Sequence, residues 1–174
     1  MTIFIAGAGG YIGSSATCLF LDKGYRVKAF DRFFFGSGVF GQHSKQSNLT
    51  IIHEDIRYLR PEHLAGCDVV IDLSGMSNDP SCDIDPVLSR GINREGSLLL
   101  ATLAKQCGVR KYFFSSSCSL YGACQDTLVS ETSKVAPQSL YAQLKLEVEE
   151  ALLHLNDDRF SVTLFRTATC FGLS

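Results

Sequence analysis

Three observations predict an α/β fold in which a parallel sheet carries helices on both faces. Short β-branched or aromatic runs alternate with longer helix-like segments along the whole sequence, the pattern of strands joined by crossover helices. Several of the runs are apolar almost without interruption, as strands buried on both faces must be. The first run ends in a cluster of glycines before an amphipathic stretch, which marks a tight strand-to-helix turn.

The first strand is placed at Thr2–Ala6, and a helix over Tyr11–Lys23 follows, stopped by Gly24. The second strand is Arg26–Phe30. Phe33, Phe34 and Phe35 come next, an apolar cluster that covers the sheet edge or walls a ligand pocket. Gly36–Asn48, rich in Gly, Ser and Gln, reads as a surface loop with room for a short helix. Strands follow at Thr50–His53 and Val69–Asp72. Asp79, Asp83 and Asp85 lack the pattern of a calcium loop and are expected to begin and cap the next helix. That helix spans Val87–Gln106, with Leu98, Leu99, Thr102 and Leu103 on its apolar side and Gly108 as its stop. After the strand Lys111–Ser115, the helix Leu140–Leu155 shows a stripe of Leu144, Val148, Ala151, Leu152 and Leu155. Ser161–Phe165 is the sixth strand.

With 174 residues the chain fits one domain, 1–174. Hydrophobic residues are 45% and charged residues 20%, which is ordinary for a globular protein. A net charge of −2 with both signs mixed along the chain leaves no basic stripe for a phosphate backbone, so nucleic acid is not an expected partner. No stretch approaches the roughly 20 apolar residues that span a bilayer, and no membrane association is expected. The seven cysteines are odd in number and never form Cys-x-x-Cys, which argues against a disulfide framework and against zinc. The four scattered histidines have no metal-ligand spacing, so no metal is expected. Reduced thiols in a cytoplasmic setting are the expectation.

The glycine cluster is Gly7-Ala8-Gly9-Gly10-Tyr11-Ile12-Gly13. The spacing that fits a dinucleotide turn is Gly7-x-x-Gly10-x-x-Gly13. Glycine allows the tight turn, the approach of backbone to a pyrophosphate, and close helix–sheet packing. The free N–H groups at the helix start, around Tyr11 and Ile12, would face the phosphates. Asp31 stands at the end of the second strand, where a carboxylate accepts both ribose hydroxyls and repels a 2′-phosphate. That favours NAD over NADP, against the counter-signal of Arg32, whose guanidinium is able to pair with a 2′-phosphate. Asp55, after the third strand, is within reach of an adenine. These features make the expected fold a Rossmann-type, doubly wound sheet.

The fifth strand runs into Ser115-Ser116-Ser117-Cys118-Ser119-Leu120-Tyr121-Gly122, so hydroxyls lie at the carboxyl end of a central strand, where ligands bind in open sheets. Tyr141 and Lys145 follow at a spacing of i, i+4 and share one helix face. Moving hydride between a carbinol and a nicotinamide requires a group that moves the hydroxyl proton. A free tyrosine, with a pKa of about 10, is a poor base at neutral pH, and a nearby ammonium together with the positive nicotinamide ring favours its phenolate. A serine hydroxyl steadies the substrate oxygen as charge develops on it. A protein of another class, a non-catalytic dinucleotide-binding module that regulates or scaffolds a partner, would use the same glycine turn without needing these three side chains.

Taken in order, Gly7–Gly13, Asp31, Asp55-Ile56, Val69–Pro80, Asn93 before Glu95-Gly96, Ser115–Gly122, Pro137–Tyr141, Lys145 and Arg166–Gly172 resemble the extended short-chain dehydrogenases/reductases. That group includes nucleotide-sugar epimerases, dehydratases and reductases. The resemblance implies that Ser117, Tyr141 and Lys145 are catalytic, that Tyr141 and Lys145 also touch the cofactor, and that Leu73, Ser74 and Gly75 line its nicotinamide side, with Ile56 beside Asp55. The family's dehydratases carry Asp-Glu after the catalytic hydroxyl. Cys118 and Ser119 stand there in this chain, so epimerisation or keto reduction of a nucleotide sugar is implied instead. The helices Val87–Gln106 and Leu140–Leu155 are similar to those that pair in the family's homodimers. Members carry a smaller substrate domain after the sixth strand; with a last residue at Ser174, that domain is expected to be missing or truncated here.

Overall fold

The computed structural model describes residues 1–123 and 128–172 of the chain. Six strands form one parallel sheet: β1 (Thr2–Ala6), β2 (Arg26–Asp31), β3 (Leu49–His53), β4 (Val69–Asp72), β5 (Lys111–Ser117) and β6 (Ser161–Thr167). Their order across the sheet is β3-β2-β1-β4-β5-β6. The chain leaves β1 towards β2 on one side and returns to β4 on the other, so the order reverses there. A crevice opens outside the carboxyl ends of strands at such a point.

Alternation along β1 shows how the two faces are built. Phe4 and Ala6 join Phe30, Val70, Tyr112 and Phe114 in one core cluster, which packs against Leu100, Ala101, Ala104, Val148 and Leu152. Ile3 and Ile5 point the other way, into a cluster with Leu21, Val27, Ala29, Phe33 and Phe40. All five residues of β1 are buried, so the strand has no polar face. The first helix, α1 (Tyr11–Asp22), covers the second cluster together with the 3-10 segment Ser37–Lys45. On the same face of β5 and β6, Phe113 and Phe165 stack with ring centres 5.9 Å apart, and Phe165 is half exposed.

The strand positions agree with the sequence expectation to within two residues, and β5 and β6 each run on for two more. Gly24 and Gly108 have φ of 77° and 79° directly beyond the helices they end. Between β3 and β4 lie a 3-10 turn (Ile56–Tyr58) and the short helix α2 (Pro61–Leu64). The long helix expected at Val87–Gln106 is instead composite. α3 (Asp79–Ile84) is capped by Asn78 rather than by one of the aspartates, whereas Asp85 does cap α4 (Pro86–Arg90). α4 passes through a π-helical stretch, Gly91–Gly96, into α5 (Ser97–Gln106). At Gly96 a Cβ would come within 2.6 Å of the Ile56 side chain, so the wide turn lets Ile56 lie against the helix.

The buried side of α5 is Ser97, Leu100, Ala101 and Ala104. Leu98, Leu99 and Leu103 only flank the core, and Thr102 is exposed. The expected stripe was therefore misplaced around the helix. Small residues face the sheet because they let the helix backbone come close to it, near enough for Tyr112 Oη to lie 3.3 Å from the Ser97 carbonyl. The last helix, α6 (Leu140–Leu155), has the expected limits and buries Leu144, Val148 and Leu152.

Of the three phenylalanines, Phe33 alone is buried. It sits at φ 51° against Phe40 and His53, while Phe34 and Phe35 are exposed. The six cysteines among the described residues are free thiols, and Cys124 lies outside those residues. Among the described residues no helix is long and apolar enough to cross a membrane.

Candidate active site at the carboxyl edge of the sheet

The turn from β1 to α1 is shaped by what surrounds it. Gly7 takes φ 78°, and a Cβ there would lie 2.6 Å from the Leu73 carbonyl oxygen at the exit of β4. A Cβ on Gly13 would overlap the carbonyl oxygen of Gly7. Gly10 is less constrained, with only that same oxygen at 3.3 Å. Gly9, which the expected spacing passes over, is held as tightly as any: a Cβ would meet the Phe33 ring at 2.8 Å and the Asp31 carboxyl carbon at 3.1 Å. Its presence beside Gly7 and Gly10 was visible in the sequence, but its reason lies in the contact with β2.

Gly10 caps α1 without any side-chain hydrogen bond. The first-turn N–H groups at Tyr11, Ile12 and Gly13 therefore point out of the helix end beside the crevice, with the positive end of the helix dipole behind them. The Tyr11 hydroxyl donates to the Gly172 carbonyl at 2.6 Å, so the segment beyond β6 folds back over the start of α1.

Asp31 sits at the end of β2 with its carboxylate turned towards the glycines. It accepts the Gly9 N–H at 3.1 Å and the Phe33 N–H at 2.6 Å, one on each oxygen. A carboxylate offers about four lone-pair sites, so two remain. Arg32 does not turn to Asp31. It pairs with Asp55 at 3.2 Å and lies 4.5 Å from the centre of the Phe34 ring. Asp55 also takes three donors of Arg57: the backbone N–H at 3.0 Å, Nε at 2.9 Å and an Nη at 2.7 Å. The Arg57 hydrogen bonds, with the charges of Arg57 and Arg32, outweigh burial and hold the Asp55 carboxyl below its ordinary pKa. Ile56 turns its side chain into the core, so any contact it makes with a ligand runs through its backbone.

Across the crevice, Leu73, Ser74 and Gly75 form the turn leaving β4. The Leu73 N–H donates to Ala6, and Ser74 donates twice to Asp72, from N at 3.0 Å and Oγ at 2.5 Å. Gly75, at φ 137°, packs against the buried Asn93, whose amide oxygen accepts the Met76 N–H at 2.7 Å. Asn93 lies in the π-helical stretch, and its two bonds to Met76 tie that stretch to the turn. Such stretches recur at functional sites.

Ser117 is the last residue of β5. Its hydroxyl accepts the Ser119 N–H at 3.1 Å and so caps the 3-10 turn Cys118–Tyr121. Tyr141 and Lys145 stand one turn apart at the start of α6, which Ser139 caps. Lys145 is buried; its ammonium donates to the Ser115 carbonyl at 2.8 Å, 4.5 Å from the Phe114 ring centre and 5.8 Å from that of Tyr141. Burial pushes Lys145 down from its ordinary pKa, opposed first by the charge of Asp72 and also by that of Glu149.

Tyr141 is partly buried. Burial pushes its phenol up, and the Ser117 hydroxyl opposes this only in part. The ammonium that was expected to favour phenolate is turned to the Ser115 carbonyl, so desolvation wins. Tyr141 thus has both the Ser117 hydroxyl and the Lys145 ammonium as neighbours at the carboxyl edge of β5. Among the described residues no group of three or more His, Cys, Asp or Glu side chains is placed to hold a metal ion.

The profile described as the NAD dependent epimerase/dehydratase family matches residues 3–174. A UDP-glucose 4-epimerase of Rhizobium leguminosarum bv. trifolii is 31% identical over 157 residues, which are 87% of this chain and 46% of that protein. A UDP-N-acetylglucosamine 4-epimerase from Methanobrevibacter ruminantium M1, solved with UDP-N-acetylmuramic acid, superposes with a TM-score of 0.88 at 26% identity over 95% of this chain and 54% of that one. A UDP-glucuronic acid 4-epimerase from Bacillus cereus, solved with UDP-glucuronic acid and NAD, gives 0.84 at 26% identity over 95% and 56%. The chain therefore spans about half the length of the proteins it matches.

Proposed function

The chain belongs to the NAD dependent epimerase/dehydratase family, and from that premise we propose that it is the cofactor-binding part of a nucleotide-sugar epimerase that works through Ser117, Tyr141 and Lys145. The observation that carries this reading is the meeting of those three side chains at the end of β5, across the crevice from an uncapped helix end and the Asp31 carboxylate. The relative and the two structural neighbours named above are UDP-sugar 4-epimerases.

The residues present fit NAD. The first turn of α1 offers N–H groups to a pyrophosphate, and the free lone pairs of Asp31 suit two vicinal ribose hydroxyls and repel a 2′-phosphate. The pull of Asp55 on Arg32 takes away the cation that would favour NADP. Bound there, NAD would supply reversible hydride acceptance for the oxidation of an alcohol carbon and the reduction of the resulting ketone. Tyr141 takes the hydroxyl proton as that carbon is oxidised and returns it on reduction. Because burial holds its proton, the base form depends on positive charge gathered beside it, of which Lys145 supplies one. The Ser117 hydroxyl donates to the substrate oxygen while charge builds on it. Lys145 would hold the nicotinamide ribose as well.

By the same reading, a second copy of the chain pairs along the surface of α4–α5 and α6, where Val87 and Leu153 are exposed; sedimentation at several concentrations reports on it. The deciding test is to denature the purified protein and identify any released nicotinamide nucleotide by mass spectrometry. NAD in near-stoichiometric amount is expected. A protein that comes empty and prefers NADPH would point to a keto-sugar reductase and to Arg32, and one that binds neither dinucleotide would overturn the proposal. Tyr141→Phe should keep its NAD but lose about 100-fold or more of the rate at which nucleotide sugars are epimerised.

A further inference from the structure

Asp72, the last residue of β4, is fully buried and has no part in the chemistry described so far. Its carboxylate accepts the Tyr112 hydroxyl at 2.9 Å on one oxygen, and the Ser74 N–H at 3.0 Å and Ser74 Oγ at 2.5 Å on the other. An ionised carboxylate only accepts, and three donors aimed at it suit that form. A buried anion of this kind needs a cation near it.

The sheet register supplies one. Asp72 pairs with Phe114 of β5, and paired positions on neighbouring strands direct their side chains to the same face. The Lys145 ammonium lies on that face, 4.5 Å from the Phe114 ring centre. Other groups around Lys145 are Cys82 from α3, and Tyr141 and Glu149 from its own helix. Glu149 is committed elsewhere: Arg166 of β6 grips it through Nε at 3.0 and 3.2 Å and through an Nη at 2.7 Å. Cys82 is buried and has its thiol pushed up by burial, so it stays neutral. Asp72 is thus the carboxylate left to balance Lys145.

We propose that Asp72 is a positioning residue of the site, the buried counter-ion of Lys145 and, through Ser74, the anchor of the Leu73–Gly75 turn. This rests on the role given to Lys145 above. Burial works to strip Lys145 of its proton, and Asp72 is the first of the charges that oppose it. Without that charge a neutral Lys145 would leave Tyr141 with less positive charge beside it.

The test is an NMR pH titration of the Lys145 side chain in the wild-type protein and in Asp72→Asn, with the signal assigned by its loss in Lys145→Arg. Asparagine keeps the shape and removes the charge. We expect the proton affinity of Lys145 to fall about tenfold or more in Asp72→Asn, one pKa unit, with the Tyr141 phenol titrating at higher pH than in the wild type. A Lys145 titration that does not move would overturn the proposal. Should Asp72→Asn fail to fold, the carboxyl carbon shift of Asp72 in the wild type decides: ionised at neutral pH supports the pairing, protonated refutes it. Dinucleotide retention, measured on the same wild-type sample, judges the catalytic reading separately, because the Lys145 titration needs no bound cofactor.

Discussion

At position 13 even a methyl group is too large, because it would sit on the carbonyl oxygen of Gly7 and within 2.8 Å of the Ala8 Cα. Gly13→Ala should push the β1–α1 turn away from the sheet, at a cost of about 1–3 kcal/mol, and weaken dinucleotide binding with it. Gly10→Ala meets only one atom at 3.3 Å, at an extended backbone (φ −80°, ψ 175°) that alanine adopts freely, so its effect should be smaller. Thermal unfolding and NAD titration of the two variants check this, and the reverse order would refute the account of the turn. At this scale the sequence supplied the residue types of the proposed site: the glycines, Asp31, and the serine, tyrosine and lysine. It did not supply their partners. That Arg32 turns to Asp55, that Lys145 turns to the Ser115 carbonyl, and that Gly9 is wedged under Phe33 depend on residues 23, 30 and 24 positions away. No local pattern encodes contacts of that range.

Elements divide by how much of their burial is local. β1, β4 and α6 have the limits expected of them, because continuous apolar runs and a regular stripe of leucines leave little choice of register. α5 does not follow its leucines. Its sheet-facing side is Ser97, Leu100, Ala101 and Ala104, and this predicts an inversion of the usual mutational expectation. Ala104→Leu adds apolar surface yet should destabilise by about 1–3 kcal/mol through overpacking, whereas Thr102→Leu on the exposed side should stay within about 0.5 kcal/mol. Urea unfolding of both variants measures the difference; equal effects would show that the helix is turned otherwise. The π-helical stretch before α5 is a second case. It follows from Ile56 pressing on Gly96 and Asn93 holding the β4 turn, two contacts from distant parts of the chain.

For the molecule as a whole, burial of ionisable groups sets how stability changes with pH. Cys67, packed in the core against α2, has its thiol pushed from 9.0 up to about 11, chiefly by burial. Its folded pKa is raised, so the stability it contributes is fully present below pH 9.0 and is lost as pH climbs to about 11. The unfolded chain gives up that proton first. The loss is on the order of 2 kcal/mol. Tyr112, fully buried and pushed well above its ordinary value, adds to the decline in the same direction at higher pH. Comparing urea unfolding at about pH 8 and about pH 10.5, Cys67→Ala should lose less stability between the two than the wild type does. An identical decline in both would rule out the thiol as its source.

The sequence by itself determined the α/β class, the six strands, the glycine turn and the residue types of the crevice, because each is written in neighbouring positions: periodicity, apolar runs, and glycine where backbone must come close. Tertiary structure alone decided which face of α5 meets the sheet, where the arginines and Lys145 send their charge, and that burial holds the proton on Tyr141. It also put Asp72 beneath the site, a residue that the sequence shows only as the polar end of an apolar strand. Desolvation and pairing depend on everything within a few ångströms of a group, and those neighbours come from strands and helices far apart in the chain.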